Sequence, residues 1–204
     1  MITINNNQTR QSLRNYIRNI RKNLTKKEHI QSSQRITNYI INDYRIQQAQ
    51  HIGLFISFDG EIQTYPLIKK LLNIGKTIYL PILYPFKKPK ILLFSKYTTS
   101  TNLILNHFKI YEPELYLKHV IFNQELDILL IPLVAFDRYG NRLGMGGGFY
   151  DHTLKSYSHH SKTLLIGLAH DCQKINNRIP KEEWDVPLPE IITPSFHWKW
   201  KKFN

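Results

Sequence analysis

The chain has 204 residues, with 28 Lys and Arg against 15 Asp and Glu, a formal net charge of +13, 42% hydrophobic residues and one cysteine. This length and hydrophobic content exclude a disordered tail and allow a sizeable core, while a single thiol excludes an internal disulfide. The positive charge bears on attraction of anions and does not by itself name a partner.

Met1 to Gln8 contain no apolar h-region, which argues against secretion by signal peptide. With the lone Cys172, this points to a reducing, cytoplasmic setting. The longest apolar run, Ile128 to Phe136, is too short to span a membrane and is broken by Pro132.

The first helix is expected over about residues 8–23, with Leu13, Ile17, Ile20 and Leu24 (and Tyr16 beside them) on one face. Arg10, Arg14, Arg18 and Arg21 form a row on another face, which reads by itself as a solvated basic surface. Thr25-Lys-Lys-Glu28 has the capping-box pattern and starts a second helix, with Ile30, Ile36 and Ile40, flanked by Tyr39 and Tyr44, as its buried face. His51 to Ser57 reads as a buried strand that ends in the polar turn Phe58-Asp59-Gly60-Glu61. In open α/β sheets, ligands sit at that end of a strand.

Thr64 to Leu72 reads as a helix, with Pro66 in its first turn and Gly75 past its end. Strands are expected over Thr77–Ile82, Ile91–Ser95 and Thr163–Ala169. Tyr84 to Lys90 forms a lysine-bearing loop, and residues 97–123 read as irregular. The proline-broken stretch from Ile179 to Thr193 reads as neither long helix nor central strand. Strands alternate with helices, which predicts one α/β domain over residues 1–204, a Rossmann-like layered fold with a largely parallel sheet flanked by helices.

The densest signal is Arg142-Leu-Gly-Met-Gly-Gly-Gly-Phe-Tyr-Asp151, since residues 140–148 hold five of the nine glycines. The loop follows the apolar run from Asp127 to Phe136, which reads as a buried strand, and precedes a helix starting near Phe149. Bare amides between a strand and a helix start suit an anion, and a tight structural turn is the alternative. A dinucleotide fingerprint starting at Gly144 would need glycine at 149, which is Phe, and no Gly-Lys-Ser/Thr triplet exists for a Walker loop.

Asp151 can either cap the helix or hold a metal, while Asp185 sits in the proline-rich segment with no evident packing role. Magnesium takes one or two carboxylates with phosphate oxygens and water, which such a pair would satisfy. His159-His160 reads as surface, and Cys172, beside His170 and Asp171, shows no sign of an activated nucleophile.

The run from Pro132 to Asp151 resembles the signature of the 5-formyltetrahydrofolate cyclo-ligase family, also called 5,10-methenyltetrahydrofolate synthetase. Arg10–Arg14, Ser57–Thr64 and Trp184–Thr193 resemble further family stretches in the same order. The resemblance implies ATP- and Mg²⁺-dependent conversion of 5-formyltetrahydrofolate to 5,10-methenyltetrahydrofolate, releasing ADP and phosphate. It implies that Arg10, Gln11, Ser12, Leu13 and Arg14 contact ATP, as do Arg142, Leu143, Gly144, Met145, Gly146, Gly147, Gly148, Phe149 and Tyr150. Phe58 and Gln63, with Met145 to Phe149, are implied for the folate, Asp151 and Asp185 for Mg²⁺, and Arg142 and Asp151 for catalysis.

The sequence departs from the family pattern in places. Arg10 stands where Lys is common, Gln63 where an acid is common, and His152 where Arg is frequent; Met145 and Phe149 replace residues that are often Tyr or basic. The expected protein is a monomer acting on small molecules, without a membrane. Two other readings compete: a family-like folate or nucleotide binder without turnover, motivated by Gln63, and a basic nucleic-acid-binding protein, motivated by the charge and the arginine row. The scatter of Lys and Arg along the chain disfavours the second.

Overall fold

The computed structural model describes residues 9–84, 90–155, 157 and 162–200. Among them, eight strands form one sheet whose middle is parallel. β1 (His51–Gly53) lies between β2 (Thr77–Leu83) and β7 (Ile128–Pro132), parallel to both. β10 (Leu164–Leu168) and β11 (Glu190–Ile192) extend the parallel set beyond β7.

The two edges are antiparallel. On one side β3 (Leu92–Tyr97) pairs with β2, and β6 (Val120–Ile121) with β3. On the other side β12 (His197–Lys199) closes the sheet against β11. The predicted layered α/β fold with a largely parallel sheet is therefore present.

Chain order explains where the site lies. From β1 the chain runs to β2 on one side, whereas β7 runs to β10 and β11 on the other. β1 and β7 thus flank the point where the strand order diverges, and a crevice opens beyond their carboxyl ends. The segments leaving those ends carry Phe58–Glu61 and the glycine loop respectively.

Alternation along β7 builds a core on each face. Ile128 and Leu130 pack with Ile36 and Ile40 of α2 (Lys26–Asn42) and with Leu67 and Leu71 of α4 (Tyr65–Asn73). Leu129 and Ile131 pack on the opposite face with Phe94, Phe136, Leu154 and Ile191. Burying each such side chain stabilises the fold by about 1.5–3 kcal/mol. A third cluster seats α1 (Arg10–Lys22), whose Leu13 and Ile17 meet Val134, Ala135 and Leu143. The Thr25–Glu28 capping box forms as expected.

Several expectations change. Ile30 and Tyr39 are exposed, because α2 buries the narrower stripe of Ser33, Ile36, Thr37 and Ile40. Tyr44, exposed too, lies outside α2 and opens the short helix α3 (Tyr44–Gln48). Tyr16 is exposed as well. Residues 97–123 are not irregular: β4 (Leu103–Leu105) and β5 (Tyr111–Pro113) form an antiparallel hairpin, and β6 follows.

The proline-broken tail does supply an interior strand, β11, whose three residues fit between the prolines at 189 and 194. The apolar run from Asp127 is not one strand, since it bends at Leu133–Val134 into β8 (Ala135–Phe136). Residues 85–89 of the lysine loop and His159-His160 lie outside the described residues. Among the described residues, no helix is long and apolar enough to cross a membrane.

Candidate functional site

The glycine loop is delivered by a short antiparallel pair, β8 with β9 (Arg142–Leu143). Asp137, wholly buried, locks the turn between them by accepting from the amides of Tyr139 (2.8 Å), Asn141 (3.1 Å) and Ile179 (3.0 Å). It also accepts from Asn141 Nδ2 at 2.8 Å. Beyond β9 the chain passes Gly146 at φ +99° and Gly148 at φ +76°, backbone that glycine adopts without Cβ strain. It then enters α5 (Phe149–Lys155), a seven-residue helix. With so short a helix, the charge around the loop comes chiefly from side chains.

Those side chains are the arginines of α1, and here the expectation of a solvated face fails. Arg10 makes a paired contact with the Asp185 carboxylate and donates to the Pro180 carbonyl at 2.8 Å. Arg14 Nε donates to the Gly144 carbonyl at 2.8 Å, and Arg18 grips Asp59 through two bonds of 2.7 and 3.0 Å. Arg21 is fully buried and donates to the Asp59 and Leu133 carbonyls. The spacing was read correctly, but the row runs beside the buried Leu13–Ile17 stripe and docks against loops. The face on which the nucleic-acid reading rested is thus occupied at these four positions.

The carboxylates are engaged too. Asp151 Oδ1 accepts from Arg142 Nη2 at 2.7 Å and from the Val186 amide at 3.3 Å, so the segment carrying Asp185 touches the end of the glycine loop. Burial alone would raise the Asp185 pKa, but the Arg10 guanidinium and the Glu182 amide hold it below the usual range. Asp185 bonded to Arg10 raises the guanidinium pKa in turn. Burial and the nearby Arg10 lower that of Arg14.

Arg142 is almost completely buried, and its Nε has no hydrogen-bond partner. Arg142 lines the cleft, and a buried cation there with an orphaned donor suits an anion. Among the described residues, no cluster of three or more His, Cys, Asp or Glu could cage a metal. Two carboxylates beside an anion-seeking cluster suit a hard cation that shares phosphate oxygens, which is how magnesium binds.

One cleft of about 710 Å³ joins this charged end to an apolar one. The charged end is lined by Arg10, Arg14, Arg18, Arg142, Asp151 and Glu182. The apolar end is lined by Phe55, Phe58, Pro81, Leu83, Leu92 and Ile110, with Phe108 and Tyr111 of the β4–β5 hairpin. Residues 144–150 run along the cleft between them.

The hairpin is held over the opening. Asn106 Oδ1 accepts from the Phe108 and Ile110 amides, and Glu112 accepts from Asn106 and from the Leu83 amide of β2. Phe108 meets Phe149 edge-to-face at 5.7 Å. Two further polar groups face the site. Burial pushes the Glu61 carboxyl up to about 7 against the pull of Arg21, and the buried Tyr150 hydroxyl has no partner. Burial and the Glu61 charge raise the Tyr150 pKa.

Of the residues singled out in the sequence, Arg10, Arg14, Phe58, Arg142 and residues 144–151 line the cleft. Gln11, Ser12, Leu13, Leu143, Gln63 and Asp185 do not. Leu13 and Leu143 lie in the core under α1, Gln63 is exposed, and Asp185 meets the cleft through Arg10. Two acids line the apolar part: Glu112, engaged by Asn106 and the Leu83 amide, and Glu61. The signal for it was present, because the Asp59-Gly60 turn reverses the chain and returns Glu61 to the pocket. Trp184 opens a stretch that the resemblance marked, whereas Glu182 and the hairpin residues carried no sequence signal of their own.

The chain matches the model of the "5-formyltetrahydrofolate cyclo-ligase family" over residues 6–194. It is 48% identical over 187 residues to the 5-formyltetrahydrofolate cyclo-ligase of Haemophilus influenzae, covering 92% of this chain and 98% of that protein. It is 45% identical over 184 residues to the Escherichia coli K12 protein of the same name, covering 90% of this chain and all of that one. The solved Aquifex aeolicus 5,10-methenyltetrahydrofolate synthetase superposes with a TM-score of 0.80 at 24% identity, over 97% of this chain and 95% of that one, a likeness of fold. A cleft with an arginine-rich end and an aromatic end, built on that fold and on motifs shared along nearly the whole chain, places this protein in the 5-formyltetrahydrofolate cyclo-ligase family.

Proposed function

We propose that this chain, acting as a monomer, closes 5-formyltetrahydrofolate to 5,10-methenyltetrahydrofolate at the expense of ATP. The observation that carries the reading is the shared floor of the cleft, where residues 144–149 join the charged end to the apolar one. A triphosphate fits the end bearing Arg10, Arg14 and Arg142. A flat pterin and its aromatic linker fit the end bearing Phe55, Phe58, Phe108 and Phe149.

The chemistry gives this juxtaposition a purpose. A formamide carbon is a weak electrophile, and its oxygen leaves poorly as hydroxide. Transfer of the γ-phosphoryl group to the formyl oxygen converts that oxygen into a phosphate leaving group. N10 of the same folate then attacks the activated carbon, the ring closes and phosphate departs.

Such transfers ask the protein for positioning and charge neutralisation rather than for a nucleophile. Arg142, with its unpartnered Nε, would hold the migrating phosphoryl group, Arg14 would keep the loop in place through Gly144, and Glu61 would orient the pterin. Asp151 and Asp185 would hold magnesium, which would supply neutralisation of phosphate charge.

Pure, folded protein incubated with 5-formyltetrahydrofolate and Mg-ATP is expected to produce the methenyl absorbance only when ATP is present. Absence of ATP-dependent product would overturn the reading, and tight folate binding without product would favour a binder instead.

A further inference from the structure

We infer that Arg21, which does not itself line the cleft, is a positioning residue that holds the Asp59–Glu61 turn and Met145 in register and so fixes Glu61 for the folate; this rests on the cyclo-ligase reading. Its side chain is fully enclosed. Nε donates to the Asp59 carbonyl at 2.8 Å, Nη1 to the Leu133 carbonyl at 3.2 Å, and Nη2 to Asp59 Oδ2 at 2.9 Å. Nη2 also lies 4.0 Å from Met145 Sδ and 3.9 Å from Glu61 Oε1.

These partners come from three segments that shape the cleft: the turn after β1, the exit of β7 and the glycine loop. A buried ion pair is seldom the most stable filling for a core, since apolar side chains of similar volume often do as well or better. What a guanidinium supplies instead is direction, a planar fork that fixes several acceptors at once.

The turn is closed by the Glu61 amide on the Phe58 carbonyl at 3.0 Å, but it is strained. Asp59 stands at φ +52° and Gly60 at φ +76°, a type I′ geometry that costs more for aspartate than for glycine. Arg18 and Lys22 reach the same Asp59 carboxylate, but from more exposed positions. Arg21 alone among these three also reaches toward Glu61.

The groups around Glu61 give the inference an electrostatic signature. Arg21 faces it from α1, Asp59 and the Phe58 amide from its own turn, and the Tyr150 phenol from α5. His170, from the loop after β10, lies against the Glu61 backbone and is neutral, since burial holds its pKa down to about 4. Arg21 is therefore the cation that offsets the burial of the Glu61 carboxyl. Without it, the carboxyl ionises only at higher pH.

The test is steady-state kinetics in both substrates across pH for wild type, Arg21→Lys and Arg21→Met, with circular dichroism as the check of folding. In Arg21→Met the KM for the folate is expected to rise about tenfold or more, and the KM for ATP by less than about threefold. The acidic limb of kcat/KM for folate should move to higher pH. Arg21→Lys should recover part of the limb shift, because it keeps the charge, while retaining a raised folate KM, because one amine cannot replace the fork.

Equal rises in both KM values, or an unchanged limb in folded Arg21→Met, would overturn the inference. If Arg21→Met does not fold, Arg21→Lys decides: an unchanged folate KM sinks the positioning role. Wild-type protein that fails to turn over in the same assay would instead sink the cyclo-ligase reading, so the two failures are distinguishable.

Discussion

Arg142 donates to Asp151 at 2.7 Å across the mouth of the glycine loop, and this contact fastens the beginning of the loop to the helix at its end. Arg142 is held by β9 and Asp151 by α5, so the glycines between them are stretched from a fixed post to a fixed post. The bond also makes Asp151 a carboxylate whose present partner is a cation.

Asp151→Asn is expected to lower turnover by about 100-fold or more while leaving a folded protein, since one charged partner of a phosphoryl-transfer site is lost. Its thermal stability should fall modestly, by about 1–3 kcal/mol, because Arg142 is left buried beside an amide. Initial rates at limiting and saturating Mg²⁺, with a thermal melt on the same preparation, check both parts. Near-wild-type activity at limiting Mg²⁺ would remove Asp151 from a metal role.

Gly146→Ala tests the loop itself. At φ +99° an L-residue is strained, and a Cβ there would lie 3.4 Å from Arg14 Cζ. A cost of about 1–2 kcal/mol at this position is expected to displace the loop or Arg14 rather than unfold the protein. The KM for ATP should rise severalfold with the melting temperature little changed. An unchanged ATP KM would mean that the Arg14 side of the loop does not meet the nucleotide.

How much of this was legible in the sequence varied with the physical origin of each feature. The glycine loop, the capping box and the buried strands were readable because local geometry dictates their composition. The arginine row was found by spacing but misjudged as solvated, because spacing reveals a face and not what the face meets. Its partners, Asp59, Gly144 and Asp185, lie 41, 130 and 175 positions away.

Gln63, implied for the folate by the resemblance, is exposed, while Glu61 lines the cleft. The Asp59-Gly60 turn is legible in the sequence, but which side chain after it points inward is set by packing that a linear motif does not display. β11 was missed because a three-residue strand between prolines has too little periodicity to read; only its neighbours on both sides define it.

Glu61→Gln addresses that residue directly. Its carboxyl ionises at about 7, and kcat/KM reports the free enzyme. If the ionised form orients the pterin, kcat/KM for folate rises as pH increases through about 7 in the wild type. In Glu61→Gln the limb should disappear and the folate KM should rise about tenfold or more, with a smaller effect on ATP. A limb that persists in the variant would assign the titration to another group.

The same carboxyl sets a conflict between stability and activity. Glu61 is raised from 4.5 to about 7 in the fold, so the unfolded chain ionises first as pH increases. Its contribution is fully present below about 4.5 and is lost as pH rises through about 7, a decline of about 3 kcal/mol. Asp59 has the opposite sign. Burial opposes its ionisation, but hydrogen bonds from Arg18, Lys22 and Arg21 hold its pKa well below 3.8. Its contribution is present above that value and is lost as pH falls further. His170, whose pKa burial holds down to about 4, has the opposite sign to Glu61 over the same window, gaining stability as pH rises from about 4 toward 6.5. The Glu61 share is therefore read from chemical denaturation of wild type and Glu61→Gln at a series of pH values. Between pH 4.5 and 7 the variant should gain about 3 kcal/mol relative to wild type, whereas Asp59→Asn should weaken the loss of stability on the acid side. A difference between wild type and Glu61→Gln that stays constant from pH 4.5 to 7 would contradict the burial of an un-ionised Glu61.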